Sequence, residues 1–310
     1  MKFLSGKNME NDLSMGAAWM NGKVLPISQA MIPVNDWGLV HSDITYDVVP
    51  VIDGAFFRFS EYLARFLSSM ENLHLDPGMS KRDIQAALHQ MVGKSSLRDS
   101  YVAMVCSRGK PKIAGSRDPR DCENHFFAWC VPYVHIIKPE IVKQGATAWI
   151  AQNAYRIPEN SVNPLVKNYH WGDFTQGIFE AKDKDYETVI LLDYDGNVTE
   201  GPGFNVFAVK DKVLITPDRG VLAGVSRKTV LEMAEHLGIN TSVRSLSVEE
   251  LLEADEVFLS SSGGGVIPII RVNETIFGNG ASGPISVQLN ETYWKWTTLE
   301  KYRDPIDYAL

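Results

Sequence analysis

Short runs of alternating apolar and polar residues predict a chain built mainly of strands. Asn21-Gly22 separates two such runs and is a strong signal for a two-residue hairpin turn. Asp53-Gly54 predicts a second hairpin, between 46–52 and 55–59. Further strands are predicted at 101–106, 125–134, 146–152, 188–193, 204–210 and 257–260.

Helical spacing marks the segments between these strands. Ser60 is a predicted N-cap, followed by an apolar stripe of Leu63, Phe66, Leu67 and Met70. Ser80, with Asp83 three residues on, predicts a second helix that buries Ile84, Leu88 and Met91. Later helices are predicted at 226–237, ending at Gly238, and after Ser247, which has capping-box spacing.

Composition shifts predict two domains. Pro132 and Pro139 bracket a short linker, so we expect a smaller N-terminal domain at 1–132, a linker at 133–140 and a larger domain at 141–310. Strand-rich halves with few helices favour an α+β fold over a doubly wound sheet. The stretch 107–123 is rich in charge, Gly and Pro and predicts a mobile loop.

Charge and composition exclude several classes of protein. The 310 residues are 45% hydrophobic and 22% charged, which is typical of a soluble globular protein. A net charge of -8 argues against nucleic-acid binding. No apolar run reaches membrane-spanning length, and 1–15 lacks the apolar core of a signal peptide.

The three cysteines, at 106, 122 and 130, have no metal or disulfide pattern, which favours reduced thiols in the cytoplasm. The histidines also lack metal spacing, and His41-Ser42-Asp43 alone is a weak basis for a metal site.

Two residues suggest a specific chemistry. Lys167 lies among apolar and aromatic residues, an unusual setting for a surface lysine and a suitable one for a Schiff-base lysine, since a desolvated amine loses its proton more easily. Glu200, 33 positions later (200 − 167), could keep a pyridine nitrogen protonated, as pyridoxal phosphate requires. Alone, Lys167 fits a lysine whose stem packs on aromatic rings, and Glu200 fits a hairpin residue.

Three segments are candidates for binding a phosphate. Gly224 precedes a predicted helix start at Val225 and Ser226, where N–H groups and the helix dipole would meet an anion. The Ser/Gly run 260–265 allows close backbone approach, and Arg65 offers a bidentate clamp. Each segment also has an ordinary structural explanation, as a helix start, a loop or a solvated helix residue. Gly201-Pro202-Gly203 is not a dinucleotide fingerprint, because the third glycine is absent.

The chain resembles the fold type IV pyridoxal phosphate enzymes, and among them the (R)-selective amine transaminases. The resemblance is carried by residues 41–48, 166–173, 199–205 and 216–222. It implies a two-domain fold with pyridoxal 5'-phosphate between the domains, a homodimer whose sites are completed by a partner loop, and transfer of an amino group from an (R)-amine to a keto acid such as pyruvate. It implies Lys167 as the Schiff-base lysine and proton carrier, Glu200 at the pyridine nitrogen, and Arg65, Val225, Ser226 and Ser262 at the phosphate. The implied substrate pocket, with a larger and a smaller compartment, is formed by His41, Tyr46, Val48, Tyr101, Val134, Tyr169 and Trp171.

One position departs from the resembling branch. Its loop arginine, which binds the carboxylate of the keto acid, corresponds here to Ala114. Lys110, Lys112 or Arg117 could replace it, although a lysine is a less directional clamp. D-amino acid or branched-chain transaminases and an aminodeoxychorismate-type lyase remain alternatives. A phosphate-ligand binding protein without catalysis is a further one, but it would not require Lys167 and Glu200 together.

Overall fold

The structure, a computed structural model, describes residues 12–309. Residues 1–11 of the predicted N-terminal domain, and of the segment assessed for a signal peptide, lie outside the described part, as does residue 310. The described chain forms two compact units. The first comprises 12–134, 167–169 and 300–309, and the second comprises 135–166 and 170–299. The predicted linear domain boundaries stay a prediction.

The first unit is an antiparallel sheet with helices. Its seven strands are β1 (Ala17–Met20), β2 (Lys23–Pro26), β3 (Ile44–Ile52), β4 (Ala55–Phe57), β5 (Ser100–Ser107), β6 (His125–Pro132) and β16 (Arg303–Pro305). They pair in the order β16-β4-β3-β5-β6-β1-β2. Its α-helices are α1 (Trp37–Val40), α2 (Phe59–Asn72) and α3 (Lys81–Ser95). Both predicted hairpins are confirmed, and Asn21 and Gly22 have positive φ, as this turn requires.

The helices of this unit begin at different kinds of residue. Ser80 caps α3 in a full capping box with Asp83, and Ile84, Leu88 and Met91 are buried as predicted. The prediction of Ser60 as an N-cap was wrong, because α2 begins at Phe59 and its N-cap is Arg58. Arg58 has a left-handed φ of 56°, and its N–H donates to the Tyr302 carbonyl. A tertiary hydrogen bond therefore sets this helix start.

The second unit contains a mixed sheet. Its strands are β7 (Ala146–Tyr155), β8 (Thr188–Leu192), β9 (Glu200–Gly201), β10 (Phe204–Lys210), β11 (Val213–Thr216), β12 (Thr241–Val243), β13 (Glu256–Ser261), β14 (Gly265–Val272) and β15 (Thr275–Ile276). The main order is β12-β11-β10-β13-β14-β7-β8, with β15 on β14 and β9 on β10. Its helices are α4 (Pro139–Gln144), α5 (Gly172–Lys182), α6 (Val225–His236), α7 (Val248–Leu252) and α8 (Pro284–Trp296).

This second sheet contains both parallel and antiparallel pairs. β7 pairs in parallel with β8 and β14, whereas β10, β13 and β14 are antiparallel neighbours. An apolar core with Val206, Leu259 and Ile267 fills one face. This organisation confirms the predicted α+β class and is not a doubly wound sheet.

Several predicted boundaries differ by a few residues. Pro139, placed in the linker from the sequence, is the first residue of α4. Helix α6 begins at Val225 and ends at His236, and Gly238 follows its C-cap with a φ of 70°. Ser247 caps α7 by accepting a hydrogen bond from the Glu250 N–H, as predicted.

Within residues 12–309, we find no helix that is both long and apolar enough to cross a bilayer.

Candidate active site

Lys167 is held at the edge of the first unit's sheet. Strand β4 is short, and within β3 it pairs with Val51 and Ile52. Nearer the start of β3, Thr45 forms an antiparallel bridge with Asn168. The Lys167 carbonyl accepts hydrogen bonds from the Thr45 hydroxyl (2.6 Å) and the Tyr46 N–H (3.3 Å). Its backbone N–H donates to the Ser69 hydroxyl of α2 at 3.4 Å. The backbone of Lys167 is thus fixed from both β3 and α2.

The side chain of Lys167 lies against an aromatic surface. It is half-buried, and its Nζ is 4.5 Å from the centre of the Tyr46 ring. Tyr46 stacks on Tyr169 with 4.2 Å between ring centres. These rings belong to one apolar cluster with Ile44, Val48, Tyr101, Ala103, Val105, Phe127 and Trp129. The structure therefore brings four predicted pocket residues, Tyr46, Val48, Tyr101 and Tyr169, into one cluster, which Lys167 contacts through the Tyr46 ring.

Two tyrosines of this cluster, Tyr101 and Tyr169, have neutral hydroxyls. Burial, followed by the neighbouring Tyr46, raises the pKa of both Tyr101 and Tyr169 well above the ordinary value. Both hydroxyls are consequently protonated throughout the physiological range. The described side chains of this cluster therefore place rings, aliphatic groups and neutral hydroxyls around Tyr46, the ring that Lys167 Nζ contacts.

His41 and Val134, also predicted for the pocket, lie elsewhere in the first unit. His41 is the exposed C-cap residue of α1, and its ring contacts Trp37 at 4.6 Å between centres. Val134 is 41% exposed and follows the end of β6. Their predicted contribution to a substrate pocket stays a prediction.

Arg65 forms a bidentate ion pair in the first unit. It extends from α2 to the fully buried Asp47 of β3, with Nε–Oδ2 at 2.8 Å and Nη2–Oδ1 at 2.7 Å. Burial by itself lowers the pKa of Arg65, but the Asp47 charge and its hydrogen bonds outweigh this and raise it overall. The guanidinium is a permanent cation whose pair with Asp47 uses two of its five N–H donors.

Glu200 lies in a buried charge network of the second unit. It is 5% exposed and opens β9. Its Oε1 accepts from Arg156 Nε at 3.1 Å, and its Oε2 accepts from the Leu222 N–H at 2.9 Å. Arg156 in turn donates from Nη1 to Asp173 at 2.6 Å and lies over the Phe174 ring at 4.4 Å. Both oxygens of the Glu200 carboxylate are therefore held in place.

Sequence reasoning missed Arg156 and Asn205 as parts of this network. Arg156 follows the end of β7, and Asn205 donates to the Leu222 carbonyl at 3.0 Å and reaches Glu200 Oε2 at 3.5 Å. The neighbours of Arg156 give little signal, because Tyr155 is itself 44% exposed. Its partner is 44 positions away, which no local pattern indicates.

The second unit also places the predicted phosphate-binding residues at a helix start and a turn. Val225 and Ser226 are buried in the first turn of α6, whose N-cap is Gly224. A Cβ at Gly224 would come within 2.1 Å of Asn205 Oδ1, so a larger residue here would displace the Asn205 side chain. Ser262 lies in the turn after β13 and is half-buried. Nearby Arg227 donates to the Pro217 carbonyl at 2.8 Å, and burial lowers its pKa.

Trp171, the last predicted pocket residue, is the N-cap of α5. Its ring meets Phe174 edge-on at 5.4 Å and packs on a cluster with Ala151 and Leu191.

One observation in the second unit fits a polar cofactor such as pyridoxal phosphate. The Ser260 hydroxyl, two residues before Ser262, is buried with no hydrogen-bond partner among residues 12–309, which is expected of a group that bonds a polar ligand.

The predicted loop 107–123 has hydrogen bonds of its own. Lys112 N–H donates to the Asp121 carbonyl, Glu123 N–H donates to the Lys110 carbonyl, and the Ser116 hydroxyl donates to the Asp121 carboxylate. Ala114 is exposed at its tip, and Lys110 and Lys112 are exposed in the same loop, as is Arg117.

The base of this loop is tied to the segment around α1. The buried Asp36 accepts from the Gly38 N–H and the Ser107 hydroxyl, and its Oδ2 is 2.6 Å from His125 Nε2. Asp43, considered with His41 as a weak metal site, pairs with Arg108 at 2.8 Å. Among residues 12–309 there is no group of three His, Cys, Asp or Glu side chains arranged for a metal.

Known proteins resemble this chain over most of its length. A family model described as amino-transferase class IV matches residues 45–272. The chain is 28% identical over 273 residues to a D-alanine aminotransferase of Bacillus licheniformis, covering 86% of this chain and 92% of the relative. It is 25% identical over 285 residues to the branched-chain-amino-acid aminotransferase of Escherichia coli strain K12, covering 89% and 91%.

The fold is that of a solved aminotransferase. The crystal structure of the branched-chain aminotransferase from the archaeon Thermoproteus uzoniensis with norvaline superposes with a TM-score of 0.85, at 26% identity, covering 94% of this chain and 99% of that one. The fold type IV architecture expected from the sequence is confirmed. Since the family model spans more than half of the sequence, the chain belongs to the class IV aminotransferases, enzymes that use pyridoxal phosphate to move amino groups between amines and keto acids.

Proposed function

We propose that this aminotransferase moves an amino group from an (R)-amine to a small keto acid such as pyruvate. The observation that carries the proposal is the apolar cluster that Lys167 contacts through Tyr46, in which aliphatic residues, aromatic rings and neutral hydroxyls pack together. An amino acid donor needs a cation or N–H groups for its carboxylate, whereas an amine with two hydrocarbon substituents needs apolar walls. Tyr46, Val48, Tyr101 and Tyr169 supply such walls.

In this proposal Lys167 binds the cofactor covalently and then carries the proton. Bound cofactor supplies an electron sink for the charge that remains when the substrate carbon loses its proton. The Lys167 amine removes that proton and returns it to the cofactor side, acting as base and then as acid. Glu200, fixed by Arg156 and the Leu222 N–H, keeps the ring nitrogen protonated.

The phosphate in this proposal is bound by Arg65, by Val225 and Ser226 at the start of α6, and by Ser262. The helix start supplies N–H groups and a partial positive charge. Arg65 supplies a permanent charge whose position is fixed by Asp47. His41, Val134 and Trp171 complete the proposed substrate pocket.

We also propose a homodimer in which a partner loop completes each site. The segment around α1 carries large apolar side chains at Met31, Val34, Leu39 and Val40, all more than half exposed, and the loop 107–123 adds Ile113. The Trp37 N–H donates to the Gly109 carbonyl, so this segment and the loop base are connected. Apolar side chains clustered in this way are typical of a protein interface.

The free thiols of Cys106, Cys122 and Cys130 support a reducing compartment such as the cytoplasm.

A second candidate is a D-amino acid or branched-chain amino acid transaminase. It is favoured by the similarity to the D-alanine and branched-chain enzymes. A third candidate is a lyase of the aminodeoxychorismate type, which would release pyruvate from its substrate without any amino acceptor.

Initial rates with matched donors separate these candidates. We expect turnover of (R)-1-phenylethylamine with pyruvate, at least about 100-fold faster than of the (S) enantiomer, a difference of about 2.7 kcal/mol in activation free energy. D-alanine or L-leucine with 2-oxoglutarate as the preferred pair would overturn the amine assignment. Pyruvate release from aminodeoxychorismate without acceptor would instead assign the lyase.

A further inference from the structure

Three side chains of the first unit form a continuous stack. The Tyr169 ring lies on the Tyr46 ring with 4.2 Å between centres and 15° between planes. The Lys167 Nζ lies 4.5 Å from the centre of the same Tyr46 ring. A cation within about 6 Å of a ring centre is attracted by the negative face of the ring. The geometry is therefore that of a cation–π contact with an aromatic ring.

The Tyr46 ring is held firmly in this position. It is 6% exposed, and its backbone N–H is bonded to the carbonyl of Lys167 itself. The adjacent Thr45 hydroxyl donates to that same carbonyl, and Thr45 forms a bridge with Asn168. The backbones of Lys167 and Tyr46 are therefore hydrogen-bonded to each other, which holds the lysine near the ring.

The other titratable groups around this ring have defined states. Tyr101 and Tyr169 are neutral, since burial raises the pKa of both. Asp47 and Arg65 neutralise one another in a bidentate pair. Within the first unit, the face of Tyr46 is therefore the electron-rich surface on which the Lys167 amine rests.

We propose that Tyr46 is a positioning residue for Lys167, and that its ring binds the ammonium form of the lysine whenever the amine has no covalent bond to the cofactor. The inference rests on the proposed role of Lys167 as proton carrier. Lys167 becomes an ammonium when it removes a proton from the substrate carbon. A ring that stabilises this form makes the lysine a stronger base and keeps the charged nitrogen at one place until the proton is returned.

This role is additional to the proposed role of Tyr46 as a pocket wall, and the two can be separated. A wall acts through its shape, so a ring of equal size and different electron density would serve equally well. A cation–π partner acts through the charge on its face, which fluorine atoms withdraw while shape is largely kept. Fluorination of the ring at position 46 therefore separates the two roles.

The test is residue-specific competitive acetylation of the full-length chain, followed over pH and read by peptide mass spectrometry. It compares Tyr46→Phe with variants that carry mono-, di- and trifluorophenylalanine at position 46. We expect the pH midpoint for acetylation of Lys167 to fall stepwise, by about half a unit to one unit over the series. The midpoint for exposed Lys112 serves as the internal control and should not move. A Lys167 midpoint that is equal in all four variants overturns the proposal.

The measurement is made on cofactor-free protein and on protein with pyridoxamine phosphate. Acetylation of the cofactor-free chain needs no turnover, so its result stands even if the amine substrate assignment fails. Tyr46→Leu, with unfolding measured in parallel, gives a second readout. We expect kcat to fall at least about ten-fold, since the ring acts on the lysine after binding, in addition to any rise in KM from loss of the wall. A rise in KM with kcat unchanged would show that Tyr46 acts only as a wall and would contradict the proposal.

Discussion

Arg156 and Glu200 are joined by a buried ion pair of 3.1 Å, although they lie 44 positions apart. Arg156 is held from its other side by Asp173 at 2.6 Å, so the carboxylate proposed for the cofactor ring is fixed by a chain of charges. This arrangement gives the buried Glu200 carboxylate a cationic partner and an N–H donor away from water.

Replacing Arg156 by Met should destabilise the protein by about 3–5 kcal/mol, because two carboxylates would then be buried without their cation. Urea unfolding of the cofactor-free chain at pH 7 measures this free energy. The double variant Arg156→Met/Glu200→Gln should recover part of the loss, since one of the two anions is removed. The exposed Arg120→Met should change stability by no more than about 0.5 kcal/mol. Equal losses in the single and double variants would argue against the network.

Replacing Arg65 by Lys tests the phosphate role separately from the Asp47 pair. Lysine keeps the charge beside Asp47 but loses the planar fork. We expect the affinity for pyridoxal phosphate to fall about ten-fold, while the affinity for pyridoxal, which lacks the phosphate, stays the same. Cofactor titration by protein fluorescence gives both values. An unchanged ratio of the two affinities would mean that Arg65 pairs with Asp47 and does not bind the phosphate.

Asp36 should make stability depend on pH below about 5. Burial alone would raise its pKa, but hydrogen bonds from His125, Ser107 and the Gly38 N–H outweigh burial and lower it from 3.8. A carboxyl with a lowered folded pKa stabilises the protein above its unfolded pKa, and the contribution is lost as pH falls through the folded value. Asp36→Asn should therefore cost about 1–3 kcal/mol at pH 7 and progressively less below about pH 4. Chemical unfolding of both proteins at several pH values measures this difference. A constant difference across that range would contradict the assignment.

Replacing Ala114 by Arg should strengthen keto-acid binding. Ala114 is exposed in this loop, at the position where the resemblance to amine transaminases implies a carboxylate-binding arginine. A guanidinium adds a charge-assisted, bidentate contact, and we expect KM for pyruvate to fall about ten-fold with KM for the amine unchanged. Steady-state kinetics with each substrate varied in turn measures both constants, and Ala114→Met is the size-matched control. An equal effect of Arg and Met would mean that the loop tip does not bind the carboxylate.

Local chemistry made several features predictable from the sequence. Asn21-Gly22 tolerates the positive φ of its turn, and Ser80 with Asp83 closes a capping box through bonds that span three residues. Lys167 stood out because its aromatic neighbours are adjacent in the sequence. In each case the residues that carry the signal lie within a few positions of one another along the chain.

Features that depend on distant partners were not predictable. The cap of α2 is Arg58, because its N–H is bonded to Tyr302, far along the chain. Lys167 lies at the edge of β3 because β4 is too short to cover that edge. Arg156 had no local sign of its partner Glu200. Long-range hydrogen bonds and ion pairs set these positions, and single-sequence patterns do not contain them.

The visible spectrum of the holoenzyme during addition of amine tests the central claim most directly. The absorption of the covalently bound cofactor should disappear on addition of (R)-1-phenylethylamine, remain on addition of the (S) enantiomer, and return on addition of pyruvate. In Lys167→Ala no such cycle should occur at a comparable rate. A cofactor band that neither amine changes, but that D-alanine or L-leucine removes, would contradict the amine transaminase assignment.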